Sequence, residues 1–100
     1  MENQHRKITG YRELNEDEVS FMNAIKAKGA ELLALQEKLS SYLAAQRIGK
    51  MVAAQRIDKV ATEEFARFND AEPQRWAAIG KTDIQTGIMA LVRAVAQPAV

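Results

Sequence analysis

Apolar residues recur along this chain at helical spacing and nowhere show the strict alternation of a half-buried strand. From Met22, the positions Met22, Ile25, Gly29, Leu32, Gln36, Leu39 and Leu43 fall at alternating steps of three and four, which puts them on one stripe of an α-helix. Phe21, Leu33, Leu35 and Tyr42 widen that stripe, and its heptad-like spacing suits an antiparallel hairpin or a helix seam between subunits. No proline interrupts the span between Asn15 and Glu72, where Ala, Gln, Lys, Arg, Glu and Leu dominate. A further apolar face, Ile57, Val60, Ala61, Phe65 and Phe68, runs up to Asn69.

The punctuation of these helices is local. Asn15 is a favourable N-cap, Glu18 three residues on completes a capping box, and Leu14 with Val19 fits a hydrophobic staple. Asn69, Asp70, Glu72 and Pro73 supply a cap candidate, a first-turn acid and an early proline, predicting a new helix that runs to Gln97 and stops at Pro98. Between them lies a near-repeat, Ala-Ala-Gln-Arg-Ile-Gly-Lys at 44–50 and Ala-Ala-Gln-Arg-Ile-Asp-Lys at 53–59. A shift of nine residues is half a turn, so the copies would face opposite sides of a helix. The pattern fits one long helix, a helix broken near Gly49, or two helices meeting around Ile57 and Asp58. The expected organisation is a single all-α domain over 1–100: an arm at 1–14, a helical region at 15–69 and a C-terminal helix at 70–97.

The last helix needs company. Ile84, Ile88, Leu91 and Val95 form one stripe, Met89, Val92 and Ala96 fill the neighbouring face, and only Gln85, Thr86 and Arg93 are polar between Ile84 and Ala96. A helix apolar on most sides is normally covered on most sides, and one hairpin of this length cannot cover it. Ala77, Gly80, Gly87, Ala90 and Ala94 add small residues where backbones could approach closely. Homo-oligomerisation is the simplest cover. A chain of 100 residues buries only roughly 60 to 65 % of its unfolded surface, which makes a lone monomer marginal.

Composition removes most chemistry. There is no cysteine, and His5 is the single histidine, so disulfides, thiolate metal sites and histidine-dependent catalysis lose their raw material. No Walker or Rossmann glycine pattern occurs, and Ser20, Ser40 and Ser41 have no base beside them in sequence. The expectation is therefore a protein without catalysis, metal or cofactor. No apolar run reaches signal-peptide or membrane-span length, which suggests a soluble, cytoplasmic protein with no membrane partner. A net charge of +1 lacks the basic field that binding a DNA or RNA polymer requires.

Charge is concentrated locally in the arm. Arg6, Lys7 and Arg12 with one opposing Glu2 make it positive, while Glu13, Glu16, Asp17 and Glu18 make the helix start negative, as its dipole prefers. Tyr11 follows Gly10 there, so its ring could stack on a base while Arg6, Lys7 or Arg12 meets phosphate; packing of the ring on its own helix is the plain alternative. Lys26 beside Ile25 could reach an anion held by the arm, or stand in solvent as most lysines do. Arg75 and Trp76 open the last helix, where free amides, a guanidinium fork and an indole could hold phosphate, although the favoured place for Trp76 is the core. Arg93, a cation on an almost wholly apolar helix, requires a partner or an opening to water, an interhelical salt bridge to an acidic residue being the favoured answer.

The stretches His-Arg-Lys-Ile-Thr-Gly-Tyr-Arg-Glu-Leu at 5–14, Met-Asn-Ala-Ile-Lys-Ala-Lys-Gly at 22–29 and Arg-Trp-Ala-Ala-Ile-Gly-Lys-Thr-Asp-Ile-Gln-Thr-Gly-Ile-Met-Ala-Leu-Val-Arg-Ala-Val-Ala-Gln-Pro at 75–98 resemble the phage-encoded cyclic-nucleotide sponges, the hairpin family of anti-CBASS and Thoeris anti-defence proteins. The resemblance covers about half the chain and leaves 41–70 unmatched. It implies a helical hairpin assembled into a homo-oligomer, a hexamer being favoured, that acts in the host cytoplasm by sequestering cyclic oligonucleotide signals such as cyclic GMP-AMP without cleaving them. It implies that Tyr11 stacks on a base of a cyclic dinucleotide and Lys26 meets its phosphate; Arg12, from the charge of the arm, is expected as a third contact to the dinucleotide. It further implies a separate cyclic-trinucleotide pocket that uses Arg75 and is lined by Ala77. The rival reading is a non-catalytic oligomerisation or regulatory module that holds a protein partner on its apolar C-terminal helix.

Overall fold

The computed structural model describes residues 12–56 and 58–99. Three helices account for nearly all of them: α1, Glu16–Ala54; α2, Lys59–Ala71; and α3, Pro73–Ala96. As one arm's numbering rises the other's falls. Gly29 lies against Ile88, Gln36 bonds Ala77, Ser40 bonds Gln74 and Lys50 pairs with Glu64. The chain is thus an antiparallel hairpin whose first arm is α1 and whose second is α2 and α3 placed end to end.

Each boundary has a physical cause. Asn15 is extended and its side chain accepts from the Glu18 amide at 2.8 Å while Glu18 accepts from the Asn15 amide at 3.0 Å, the reciprocal capping box expected. Of the three arrangements open for the middle, the break near Asp58 is the one found: α1 runs through Gly49 without interruption, and the Asp58 carboxylate accepts from the amides of Val60 at 3.0 Å and Ala61 at 3.4 Å to start α2. The start of α3 differs from expectation, because Asn69 and Asp70 lie inside α2 and cap nothing. Glu72 instead takes a left-handed conformation at φ 49° and ψ 52°, ending α2 and beginning α3 with no side-chain cap, while Pro73 at the first helical position gives up an amide that would have no partner. At the far end Gln97, also left-handed, bonds Arg93 through its amide and closes α3 at Ala96, one residue before the expected end.

The packing surface of α1 is rotated slightly from the expected stripe. Met22, Ile25, Gly29, Gln36 and Leu43 do face the second arm, but Leu32 and Leu39 remain about half exposed while Leu33 and Ser40 are partly covered. In α2 the covered positions are Ala61, Glu64, Phe65 and Phe68, with Val60 turned to solvent; Ile57 lies outside the described residues.

Phe68 and Ala77 are the buried apolar side chains among the described residues. The molecule measures 76 × 22 × 17 Å with a radius of gyration of 22.0 Å, against about 13 Å for a globular chain of this length. Its thickness is little more than one helix, so both broad faces of the hairpin meet solvent.

Candidate functional site

The two broad faces differ in chemistry. One presents Phe21, Leu32, Leu35, Leu39 and Tyr42 of α1 beside Trp76 and Leu91 of α3, each substantially exposed. Two open grooves run along it: one of about 450 Å³ over Ile25, Gly29, Leu32, Ile84, Gly87 and Ile88, and one of about 530 Å³ over Leu35, Leu39, Leu43, Trp76, Gly80 and Ile84. Small residues make the grooves. A Cβ placed on Gly29 would meet the Ile88 side chain, Cγ1 at 2.7 Å and Cδ1 nearer still, so glycine lets the two helices approach there. The opposite face is polar, with a depression of about 400 Å³ lined by Glu37, Ser41, Gln74, Ala78 and Lys81. Partly buried bonds from Gln36 Nε2 to the Ala77 carbonyl at 2.9 Å and from Gln74 Nε2 to the Ser40 carbonyl at 3.0 Å cross the seam beneath it.

At the open end of the hairpin the chain before α1 is fastened to the end of α3. Arg12 Nε donates to the Ala96 carbonyl at 3.0 Å and Nη2 to the Val95 carbonyl at 2.8 Å, filling acceptors that a helix C-terminus leaves without partners. The same guanidinium grips Glu18, Nη2 to Oε2 at 2.5 Å and Nη1 to Oε1 at 3.3 Å. Each charge also faces the helix end it favours, the cation at the negative end of α3 and the anion at the positive end of α1. The hydrogen bond from Arg12, followed by that from the Asn15 amide, holds the Glu18 carboxyl below its ordinary range, and Glu18 in turn raises the Arg12 pKa.

The residues singled out by sequence are distributed unevenly. Arg12, expected at the dinucleotide, bonds Glu18 and the Val95 and Ala96 carbonyls within the chain. Lys26 is exposed on α1. Tyr11, like Arg6 and Lys7, lies outside the described residues. Arg75 is exposed, 4.0 Å from Glu72 and with its guanidinium 5.2 Å from the Trp76 ring centre, and Trp76 itself is 59 % exposed, not in a core. Ala77 is buried in the seam. Within one chain Arg75 and Ala77 line different depressions, Arg75 with Ile79, Thr82 and Asp83, Ala77 with Trp76 and Gly80.

The Arg12 fastening could not be read from sequence, because its carbonyl acceptors lie 83 and 84 residues away; only Glu18, already marked as the capping-box acid, gave a signal. Among the described residues no group of three His, Cys, Asp or Glu side chains is placed to hold a metal, and no helix is long and apolar enough to cross a membrane.

Comparison with known proteins places this hairpin. The profile of the Acb2/Tad1, hairpin domain, matches residues 56–96. The anti-CBASS protein 2 of Pseudomonas phage JBD67 is 57% identical over 106 aligned positions, spanning 98% of this chain and 97% of that protein. Residues 41–70, unmatched by the sequence resemblance, fall within that span. The chain therefore belongs to the anti-CBASS protein 2 family, built on the Acb2/Tad1 hairpin.

Proposed function

We propose that this protein is a phage anti-defence sponge that binds and sequesters cyclic oligonucleotide immune signals, cyclic GMP-AMP and its relatives, without cleaving them. The match along nearly the whole length of a protein named for countering CBASS carries the reading. The hairpin adds physical support, since a layer one helix thick with open apolar grooves is suited to pack against copies of itself. Pockets between such copies can enclose a rigid ring on both faces, and a cyclic ligand loses little ordering entropy when it is held. Tyr11 and Lys26 are the residues proposed for the dinucleotide. A trinucleotide pocket using both Arg75 and Ala77 needs a neighbouring copy, because one chain does not bring them into a common depression.

Calorimetric titration with cyclic GMP-AMP, followed by chromatography of the recovered ligand, tests the reading. Saturable binding with intact ligand returned is expected; release of linear product, or no binding of any cyclic dinucleotide or trinucleotide, contradicts it. Tyr11→Ala removes a stacking platform, for which about 1 to 3 kcal/mol per base is typical, and Lys26→Ala removes a charge-assisted contact, so each is expected to weaken dinucleotide binding about tenfold or more. Arg75→Ala is expected to spare the dinucleotide and weaken a trinucleotide.

A further inference from the structure

We propose that Arg12 is a positioning residue of the cyclic-nucleotide site: it fastens the base of the arm to α3 and makes no contact with the ligand itself. The inference rests on the sponge reading and reassigns one of the cations that the sequence offered to phosphate. Its basis is geometric. The guanidinium directs three nitrogens at four acceptors, the Val95 and Ala96 carbonyls and both oxygens of Glu18, at 2.5 to 3.3 Å. A planar fork can satisfy a carboxylate and two helix-end carbonyls together, whereas an ammonium is a compact charge without that spread. To meet a phosphate, Arg12 would have to abandon Glu18 Oε2 and the two carbonyls at the end of α3.

The fastening joins three things: the start of α1 through Glu18 and Asn15, the end of α3 through its last carbonyls, and the covalent attachment of Tyr11, the residue immediately before Arg12. Freeing Arg12 leaves the ligand groups intact and lowers the fraction of chains whose arm base is held in place. A fall of that fraction to about one tenth reduces apparent affinity about tenfold through association, with dissociation from the held state unchanged.

Stopped-flow binding of cyclic GMP-AMP to wild type, Arg12→Ala, Arg12→Lys and Glu18→Gln separates this from direct contact. Glu18→Gln keeps an oxygen for the Asn15 amide and loses the ion pair. The expected result is association about tenfold slower in all three variants, with dissociation rates like wild type. Faster dissociation of Arg12→Ala with Arg12→Lys restored to wild-type binding overturns the proposal in favour of a phosphate contact. Glu18→Gln binding as well as or better than wild type also overturns it, since the fastening requires the ion pair between Arg12 and Glu18. Three variants that bind normally at temperatures well below melting reduce the fastening to stability alone. A wild-type protein that binds no cyclic nucleotide refutes the sponge reading, and the inference falls with it.

Discussion

The tip of the hairpin, where the end of α1 meets α2, covers its phenylalanine rings within one chain, although Ile48, Val52 and Val60 stay exposed there; the stem, where α1 meets α3, leaves Phe21, Tyr42 and Trp76 open. At the tip Phe68 is buried, Lys50 stands 5.8 Å over its ring and Arg47 stands 5.9 Å over Phe65. Glu64 is held from both sides, by Lys50 at 2.7 Å and by Arg67 at 2.6 and 2.8 Å. Along the stem, by contrast, glycine and alanine let the helices touch over a narrow line while Leu35, Tyr42 and Trp76 stay open to solvent. The difference indicates where the sequence expects another molecule. Aromatic residues sealed by cations need no partner, whereas leucines beside an empty groove leave apolar surface that association would remove from water.

The largest expected effect falls on the tip. Phe68→Ala deletes the single large apolar side chain that is buried among the described residues, and truncations of this kind cost about 3 to 5 kcal/mol. Thermal melting is expected to show that loss at every protein concentration. Leu35→Asp in the stem is expected to keep helicity by circular dichroism while abolishing any concentration dependence of melting. Equal behaviour of the two variants would erase the distinction between tip and stem.

Next in size is Gly29→Leu. The added side chain would enter space held by Ile88, and overpacking a tight contact costs roughly 1 to 3 kcal/mol. Hydrogen exchange is expected to rise in α3 near Ile88 and to change little in α2, because the wedge acts only on the stem.

The smallest effect is electrostatic and belongs to the tip. Hydrogen bonds from Arg67 and then Lys50 hold the Glu64 pKa at about 2, below its ordinary 4.5. A lowered carboxyl pKa stabilises the folded form above the unfolded value, and that contribution fades as pH falls from about 4.5 through about 2. Melting midpoints are expected to drop across that window, and Glu64→Gln is expected to flatten part of the drop. Glu18, also lowered, adds to the slope in the wild type.

How much of this was legible in the sequence depended on reach. The Asn15 capping box and the proline at the start of α3 act over a few residues, and both were visible. The exchange of Leu32 and Leu39 for Leu33 and Ser40 in the seam was not, because neighbouring stripes on a helix differ by a small rotation that only the partner helix decides. Asn69 and Asp70 had the chemistry of caps, yet the bend came from a left-handed Glu72 before proline, a conformation that carries no side-chain signal. Trp76 had the composition of a core residue, and its exposure follows from a stem too thin to enclose it. At the candidate site, Lys26 and Arg75 lie exposed, while the contacts of Arg12 depend on carbonyls at the other end of the chain, which no local pattern announces.

On the proposed function, the unfinished stem is completed by copies of the chain, and the assembly holds a cyclic nucleotide unchanged. Native mass spectrometry of the full chain at micromolar concentration, with and without cyclic GMP-AMP, tests both halves in one spectrum. The expected result is a discrete oligomer of the 11.1 kDa chain whose mass rises by whole intact ligands. A monomer that carries no nucleotide at saturating ligand would contradict it.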